Sequence, residues 1–297
     1  MALRKPRDLA GGGGGVDTCI RRKGMMKSIL VACLLLLAAA VPARAHPGVG
    51  IVMDRQGNVF YTDLVHVWRI APDGRKSIAV RDVHTHELSI DSAGNLFGED
   101  SDYLGGERWR HRVWRRAPDG RVTDVIPWRD GFFREYGFVR DRAGAMYWVS
   151  CPERRCTIRK RTPDGRTSIV NPGVRFGHNI NWIALGPQGS VYVVDGDDLR
   201  RIDREGRIGT VVRGLGSGMM GTFPDGQGGL YVAVWGLRSV VRVGADGRIS
   251  TDARTAAPWA PSGVMVAPSG DLWLLEYSTS NEARVRRIAR NGRVTIF

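Results

Sequence analysis

His86 and Asp100 are the two residues of this 297-residue chain that most directly indicate acid–base chemistry. A carboxylate beside an imidazole raises the basicity of the ring and fixes which nitrogen carries the proton. Such a pair can act as a general base, and both groups also bind metals. We therefore take His86 and Asp100 as the candidate catalytic residues, provided that the fold brings them together.

The elements that would bring them together are six repeats that follow residue 46. Each repeat has a short apolar segment, a turn that ends in glycine, a segment with an aromatic residue, a further apolar segment and a second glycine turn. An aromatic residue stands three positions after every first-turn glycine, although aromatic residues make up only 8% of the chain. The six pairs are Gly57–Phe60, Gly94–Phe97, Gly144–Tyr147, Gly189–Tyr192, Gly228–Tyr231 and Gly270–Trp273.

The second turns are equally regular, and their glycines recur every 41 to 46 residues. Asp-Gly and Asn-Gly supply the left-handed backbone that a hairpin needs, and no segment has a sustained helical period. A repeat of this length is the size of a four-stranded blade. The sequence therefore predicts an all-β fold, a six-bladed β-propeller of four-stranded antiparallel blades, as a single domain over residues 46–297. The turns read PDGR at 72–75, 118–121 and 163–166, REGR at 204–207, ADGR at 245–248 and RNGR at 290–293.

A hairpin argument places the candidate site at one mouth of the central channel. If the first turn is centred one residue before its glycine, the positions eight before and six after that glycine lie opposite each other at the open end of the hairpin. Adjacent positions add His84, Glu87, Glu99, Glu135, His178 and Asn179. The predicted pairs are Val49/Asp63, His86/Asp100, Tyr136/Ser150, Asn181/Asp195, Met220/Val234 and Ser262/Glu276.

Carboxylate and amide oxygens around a channel suit Ca²⁺ or Mg²⁺, whereas histidine favours a transition metal. The predicted cofactor is a divalent metal, Ca²⁺ or Mg²⁺, and its candidate ligands are Asn181, Asp195, Glu276 and His86. An architectural role is the alternative, since an aspartate that ends a strand often accepts hydrogen bonds from turn amides. The candidate substrate-binding residues are Tyr136, His178, Ser262, Glu87 and Glu135.

Two segments carry a family resemblance, MDRQGNVFYTDLVHVWRIAPDGR and PSGVMVAPSGDLWLLEYSTSNEARVRRIARNGR. They resemble NHL-type repeats, and nearly all of 47–297 is similar to the senescence marker protein/gluconolactonase group and the streptogramin lyase group of six-bladed propellers. The gluconolactonase resemblance implies a divalent metal held by one Glu, two Asn and one Asp. Asn181 matches one Asn, but His86 or Tyr136 stands at the other and Ser262 stands at the Asp. The lyase resemblance implies a histidine paired with an exit acid, at the spacing of His86 and Asp100.

The first 45 residues are predicted to lie outside the propeller. Residues 1–24 do not look like part of a fold, and Met25 or Met26 makes a better start. Residues 25–45 have a basic head, an apolar stretch of 13 residues from Ile29 to Val41, and the small-x-small pattern of Ala43 to Ala45. This is typical of a secretory signal peptide, and the stretch is too short for a membrane anchor. We expect cleavage near Ala45-His46 and a periplasmic or secreted protein.

Cys151 and Cys156 are the two cysteines that follow the predicted leader. Their C-x₄-C spacing falls within the third repeat, in a segment predicted to form a hairpin. In an exported protein the expected outcome is a disulfide that closes this loop.

The net charge of +14 is compatible with binding to nucleic acid, but the distribution of the positive charges along the chain does not favour it. Six of these charges lie in residues 1–45, and each second turn supplies one arginine at the rim of the ring. A nucleic-acid binder would gather its basic residues into one patch, so no nucleic-acid partner is expected. The turn arginines are Arg75, Arg121, Arg166, Arg207, Arg248 and Arg293.

Two functions follow from these patterns. The first is an exported, monomeric, metal-dependent hydrolase of small lactones or esters, or a lyase, with a small-molecule ligand at the channel mouth. The second is a non-catalytic, NHL-like binding propeller for a glycan, peptide or protein partner. The Arg-rich insertion at 101–116 motivates it, together with aromatic residues that look exposed, Trp109, Trp114, Trp128, Phe132 and Phe133.

Overall fold

A computed structural model describes residues 47–106, 108–130, 138–141, 143–151, 156–172, 176, 180–186 and 189–297, with the backbone alone for Asn181. The regular elements within these residues are β-strands, which form six four-stranded antiparallel sheets. The predicted six-bladed propeller is confirmed. Blades 1 to 3 contain β1 Ile51–Met53, β2 Val59–Thr62, β3 Val67–Ile70, β4 Lys76–Val80, β5 Leu88–Ile90, β6 Leu96–Gly105, β7 Arg108–Arg116, β8 Val122–Asp130, β9 Phe138–Arg140, β10 Met146–Ser150, β11 Thr157–Arg161 and β12 Thr167–Ile169. Blades 4 to 6 contain β13 Ile180–Leu185, β14 Val191–Asp195, β15 Asp198–Ile202, β16 Ile208–Val212, β17 Met219–Pro224, β18 Leu230–Val234, β19 Ser239–Val243, β20 Ile249–Arg254, β21 Trp259–Val266, β22 Leu272–Ser278, β23 Ala283–Ile288 and β24 Val294–Ile296.

The turn glycines explain why the strands end where they do. All six first-turn glycines have φ between +78° and +91°, and all six second-turn glycines have φ between +80° and +95°. This left-handed region costs glycine nothing and other residues much more. In blade 1 the Asp54 carboxylate accepts the amides of Gln56 and Asn58, which fixes the turn before Gly57 closes it.

Each repeat aromatic faces a basic residue across its hairpin, and this accounts for part of the positive charge. The side chain of the partner reaches the aromatic ring in several blades, with Lys160 over Tyr147 at 5.2 Å and Arg287 over Trp273 at 5.6 Å. Such cation–π contacts stabilise by about 0.5–1 kcal/mol at exposed sites. The cross-strand pairs are Phe60–Arg69, Phe97–Arg115, Tyr147–Lys160, Tyr192–Arg201, Tyr231–Arg242 and Trp273–Arg287.

The hairpin register follows the sequence rule in blades 1 to 3 and departs from it in blades 4 to 6. In those three blades a β-bulge puts one extra residue on the innermost strand. As a result Asp195 lies opposite Ile180 rather than Asn181, and Glu276 lies opposite Pro261 rather than Ser262. The predicted pairs of blades 4 to 6 were wrong by one residue.

Blades 1 and 6 meet without exchanging a strand, since each is built from one continuous segment. The hydroxyl of Tyr277 in blade 6 donates to the carbonyl of Thr62 in blade 1 at 3.0 Å. Apolar side chains of the two blades share one buried cluster, which includes Tyr61 of blade 1 and Leu275 of blade 6. The ring is thus closed by side-chain contacts.

Cys151 and Cys156 form a disulfide between the end of β10 and the start of β11, with an S–S distance of 2.00 Å. The loop between them, 152–155, lies outside the described residues. The described part of the chain contains no helix that is long and apolar enough to cross a membrane.

We predict that Tyr277→Phe lowers the free energy of unfolding by about 1 kcal/mol, because it removes a buried hydrogen bond that closes the ring. The measurement is denaturant unfolding at neutral pH. Tyr103→Phe is the matched control, since Tyr103 is 56% exposed and its hydroxyl should contribute little. Equal stability of the two variants would contradict this role for Tyr277.

Candidate functional site

The two faces of the ring differ in the kind of connection they carry. The glycine turns of every blade lie at one face, because they join the first strand to the second and the third to the fourth. The connections between the second and third strands, and those from one blade to the next, lie at the opposite face. We call this opposite face the mouth. Segment 81–87, which leads from β4 to β5, therefore lies at the mouth, as predicted for His86.

Backbone contact between blades 1 and 2 fixes that segment. The amides of Val49 and Gly50 both donate to the carbonyl of His86, each at 2.8 Å. A Cβ atom at Gly50 would lie 2.8 Å from the Leu88 nitrogen. Only glycine permits this close approach, and it places His86 and Glu87 beside the innermost strand of blade 1.

Glu99 is the carboxylate that meets the His86 ring. Its Oε1 lies 3.3 Å from His86 Nδ1 and accepts the backbone amide of His86 at 2.5 Å. Both residues are buried, and Glu99 Oε2 is buried without a hydrogen-bond partner among the described residues. Glu99 is among the predicted mouth residues, but His86 was predicted to pair with Asp100.

Asp100 points to the other face of β6, since successive side chains of a strand alternate. Its carboxylate accepts the His84 amide at 2.8 Å and Arg112 Nη2 at 2.8 Å. Burial raises the pKa of Asp100 above its usual value, and the hydrogen bonds from His84 and Arg112 oppose this shift. Asp100 therefore anchors the His84 backbone to β7.

His84 is the partly exposed imidazole of the cluster. Its ring meets the ring of His86 edge-on, with centroids 4.7 Å apart. Burial is the main cause that lowers the pKa of His84 below its usual value, and the neighbouring His86 lowers it further. Glu99 and Asp100 act in the opposite direction. His84 is therefore neutral at pH 7 and can accept a proton.

His111 is a buried residue of the cluster that the sequence analysis did not single out. It lies on β7 opposite Ser101, on the same strand face as Val113, which pairs with Glu99. Burial lowers the pKa of His111 to about 4, although Glu99 favours its charged form. His111 lies within the insertion at 101–116. Its place in the cluster follows from the pairing of β6 with β7, which the repeat pattern does not indicate.

Glu87 is also buried, and burial raises its pKa well above the usual value, with a further contribution from Glu99. Its amide lies 3.3 Å from Glu99 Oε1. The mouth of blade 2 thus combines three carboxyl groups and three imidazoles in a largely buried cluster. Its members are His84, His86, Glu87, Glu99, Asp100 and His111.

The other exit carboxylates do not fit a metal site, because basic or donor side chains already hold them. Glu276 is fully buried and accepts Arg284 and Arg286 at 2.7 Å each, as well as the Thr255 hydroxyl at 3.1 Å. Asp195 Oδ2 lies 2.9 Å from Arg200 Nε. The residues described contain no group of three or more acidic, histidine or cysteine side chains arranged to bind a metal. The architectural alternative is the one that these contacts support.

The remaining predicted site residues do not join the cluster. Ser262 is fully buried, and its hydroxyl donates to the Leu275 carbonyl at 3.3 Å, so it does not face a ligand at the mouth. Tyr136, His178 and Glu135 lie outside the described residues, and nothing is described of the Asn181 side chain.

Comparison with known proteins gives similarity of fold. No protein-family model and no curated protein matches the sequence. Virginiamycin B lyase from Staphylococcus aureus is 17% identical, with a TM-score of 0.56 over 84% of each chain. A gluconolactonase from Xanthomonas campestris is 17% identical, with a TM-score of 0.58 over 77% of this chain and 82% of its own. A calcium-binding protein, regucalcin, from Agrobacterium tumefaciens is 18% identical, with a TM-score of 0.56 over 77% and 81%. The structural neighbours thus include hydrolase and lyase propellers, as the sequence resemblance implied.

We predict that Glu276→Ala lowers the free energy of unfolding by about 3–5 kcal/mol, because it leaves two arginines without their buried partner. Urea unfolding at pH 7 measures this change. Glu205→Ala is the control, since Glu205 pairs with Arg207 at an exposed site and should cost less than about 1 kcal/mol. Similar losses in the two variants would contradict an architectural role for Glu276.

We predict that Glu87→Gln stabilises the protein at pH 7 and not at pH 4. The raised pKa of Glu87 means that the folded state binds more protons than the unfolded state above the usual value of 4.5. Stability therefore declines as pH rises through this range, and removing the carboxyl group abolishes the decline. Thermal unfolding at both pH values tests this, with the exposed Glu282→Gln as control. A variant less stable than the parent at pH 7 would overturn the prediction.

Proposed function

We propose that the mouth of blade 2 is the active site of an enzyme that cleaves the ester bond of a small lactone. His84 takes a proton, either from water in hydrolysis or from carbon in elimination. The observation that carries the proposal is the half-buried imidazole of His84, whose ring meets that of His86 in the buried His86–Glu99 pair. The hydrolase and lyase propellers among the structural neighbours support the same class of reaction.

The parts of the cluster have different roles in this proposal. His84 contacts the substrate, whereas His86 Nε2 is buried and therefore acts through His84 rather than on the substrate. Glu99 faces Nδ1 of His86 and so holds the proton on that nitrogen. Asp100 and Arg112 position the His84 backbone. The sequence prediction named His86 and Asp100 as catalytic, and this proposal makes both of them positioning residues.

The proposal includes no metal-dependent step, because arginines occupy the carboxylates of Asp195 and Glu276. We predict that dialysis against EDTA leaves both the melting temperature and kcat/KM unchanged. Activity that is lost in EDTA and restored by Ca²⁺ or Mg²⁺ would contradict this and favour the metal-dependent alternative.

We further propose that the protein acts in the periplasm or outside the cell. The leader pattern of residues 25–45 supports this, as does the Cys151–Cys156 disulfide, since disulfides persist in oxidising compartments. N-terminal sequencing of the protein recovered from the natural host tests the expected start at His46.

We predict that His84→Gln lowers kcat/KM for δ-valerolactone by about 100-fold or more, as expected for loss of a general base. His66→Gln is the matched control, because His66 is a partly exposed mouth histidine of blade 1. Its Nδ1 accepts a hydrogen bond from the Asp82 amide. It should retain the parent rate. Equal losses in the two variants would contradict the assignment.

The pH profile gives a second measurement. Because the pKa of His84 is lowered, the base stays unprotonated to lower pH than a free imidazole. We predict that kcat/KM falls only below pH 6.5, the usual value for histidine. A fall that begins above pH 7 would contradict this. Turnover in ¹⁸O-water separates the two reactions, since hydrolysis incorporates one ¹⁸O atom in the product and elimination incorporates none.

A further inference from the structure

The second to fourth strands of blade 2 are longer than those of any other described blade. β6, β7 and β8 have ten, nine and nine residues, whereas the other strands have three to eight. Their ladder continues beyond Asp100 from Ser101–His111 to Gly105–Arg108. We call residues 101–106 and 108–112, with 126–130 of β8, the mouth ribbon, because they project from the mouth beside the His84 cluster.

One face of the mouth ribbon is satisfied by its own side chains. Asp102 pairs with Arg110 at 2.7 Å, and the guanidinium groups of Arg110 and Arg112 lie 4.7 and 5.1 Å from the Trp128 ring. Trp114 lies on the same face of β7, two residues from Arg112 and farther from the mouth, and is fully buried against blade 1. Of the aromatics expected to be exposed, Trp114 and Trp128 therefore serve the packing of the blade.

The opposite face joins the reaction site to an exposed aromatic pair. Alternation along the strands puts Glu99 and Tyr103 on one face of β6, and His111 and Trp109 on the same face of β7. The rings of Tyr103 and Trp109 lie 4.9 Å apart, and the residues are 56% and 38% exposed. They stand two strand positions beyond His111, about 7 Å along the sheet.

We propose that Tyr103 and Trp109 form the substrate-binding platform of the mouth site, and that the substrate carries an aromatic ring close to its ester bond. This rests on the proposed function of the His84 cluster. The pair presents ring surface to solvent and is continuous with the cluster along one strand face. A sugar would need carboxylate or amide partners beside the rings, and Asp102 is engaged with Arg110 on the other face. A flat, apolar ring matches the surface that the described residues leave open.

Two lactones that differ only by a fused benzene ring test the platform. We expect the parent protein to open 3,4-dihydroisocoumarin with a higher kcat/KM than δ-valerolactone, and both lactones keep the alkyl C–O bond that hydrolysis or elimination would break. Trp109→Ala should lower kcat/KM for 3,4-dihydroisocoumarin about tenfold, mainly through KM, since loss of one aromatic contact has this magnitude. The loss for δ-valerolactone, which has no ring to stack on the platform, should be smaller, and Trp109→Phe should keep most of the preference.

Leu237→Ala is the matched control, because Leu237 is 52% exposed in blade 5 and lies outside the mouth ribbon. This variant should leave both substrates unaffected. Equal losses on the two lactones in Trp109→Ala, or no loss on 3,4-dihydroisocoumarin, would overturn the platform.

A binding measurement separates this inference from the proposed function. Saturation-transfer NMR with 3,4-dihydroisocoumarin should show binding to His84→Gln and weaker binding to a His84→Gln/Trp109→Ala double variant. If the parent opens neither lactone but this difference is found, the proposed reaction fails and the platform stands. If 3,4-dihydroisocoumarin does not bind, or binds the two variants equally, the platform fails.

Discussion

The contact between Gly50 and the segment 86–88 is the constraint on which the candidate site depends. Two amides from the innermost part of blade 1 converge on one carbonyl of blade 2. That carbonyl belongs to His86, so the contact sets the direction in which the His86 side chain leaves the backbone. Any side chain at position 50 would push the two strands apart and move the imidazole away from Glu99.

Charge at the mouth is largely neutralised within single blades. Asp100 pairs with Arg112 across one hairpin, and Glu276 pairs with Arg284 across another. These pairs hold the ends of the second and third strands together where no glycine turn does so. The His86–Glu99 pair differs, because it joins the segment that enters blade 2 to the second strand of that blade, and because the partner of the carboxylate is an imidazole.

The blades could be predicted from the sequence, because each turn requires a left-handed glycine and each first hairpin carries an aromatic residue at a fixed distance from it. The sequence was also sufficient to bring His86 to the mouth. It could not tell which of Glu99 and Asp100 meets the imidazole, since adjacent residues differ only in the face they occupy, and face depends on the exact register. The bulges of blades 5 and 6 lie at Gly221 and Gly263, which pack against backbone of the next blade around the ring. Such packing is a property of the assembled ring and leaves no local pattern.

The closure of the ring by side chains has a consequence for folding. All of the strand ladders in the described residues join consecutive strands, so each blade can assemble after closing only short loops. The bond between Tyr277 and Thr62 joins residues 215 positions apart. The entropy cost of bringing distant parts of the chain together is therefore concentrated at one seam. Six hairpin stacks can form locally, and the last step is the meeting of blades 1 and 6, which completes the backbone contacts around the axis.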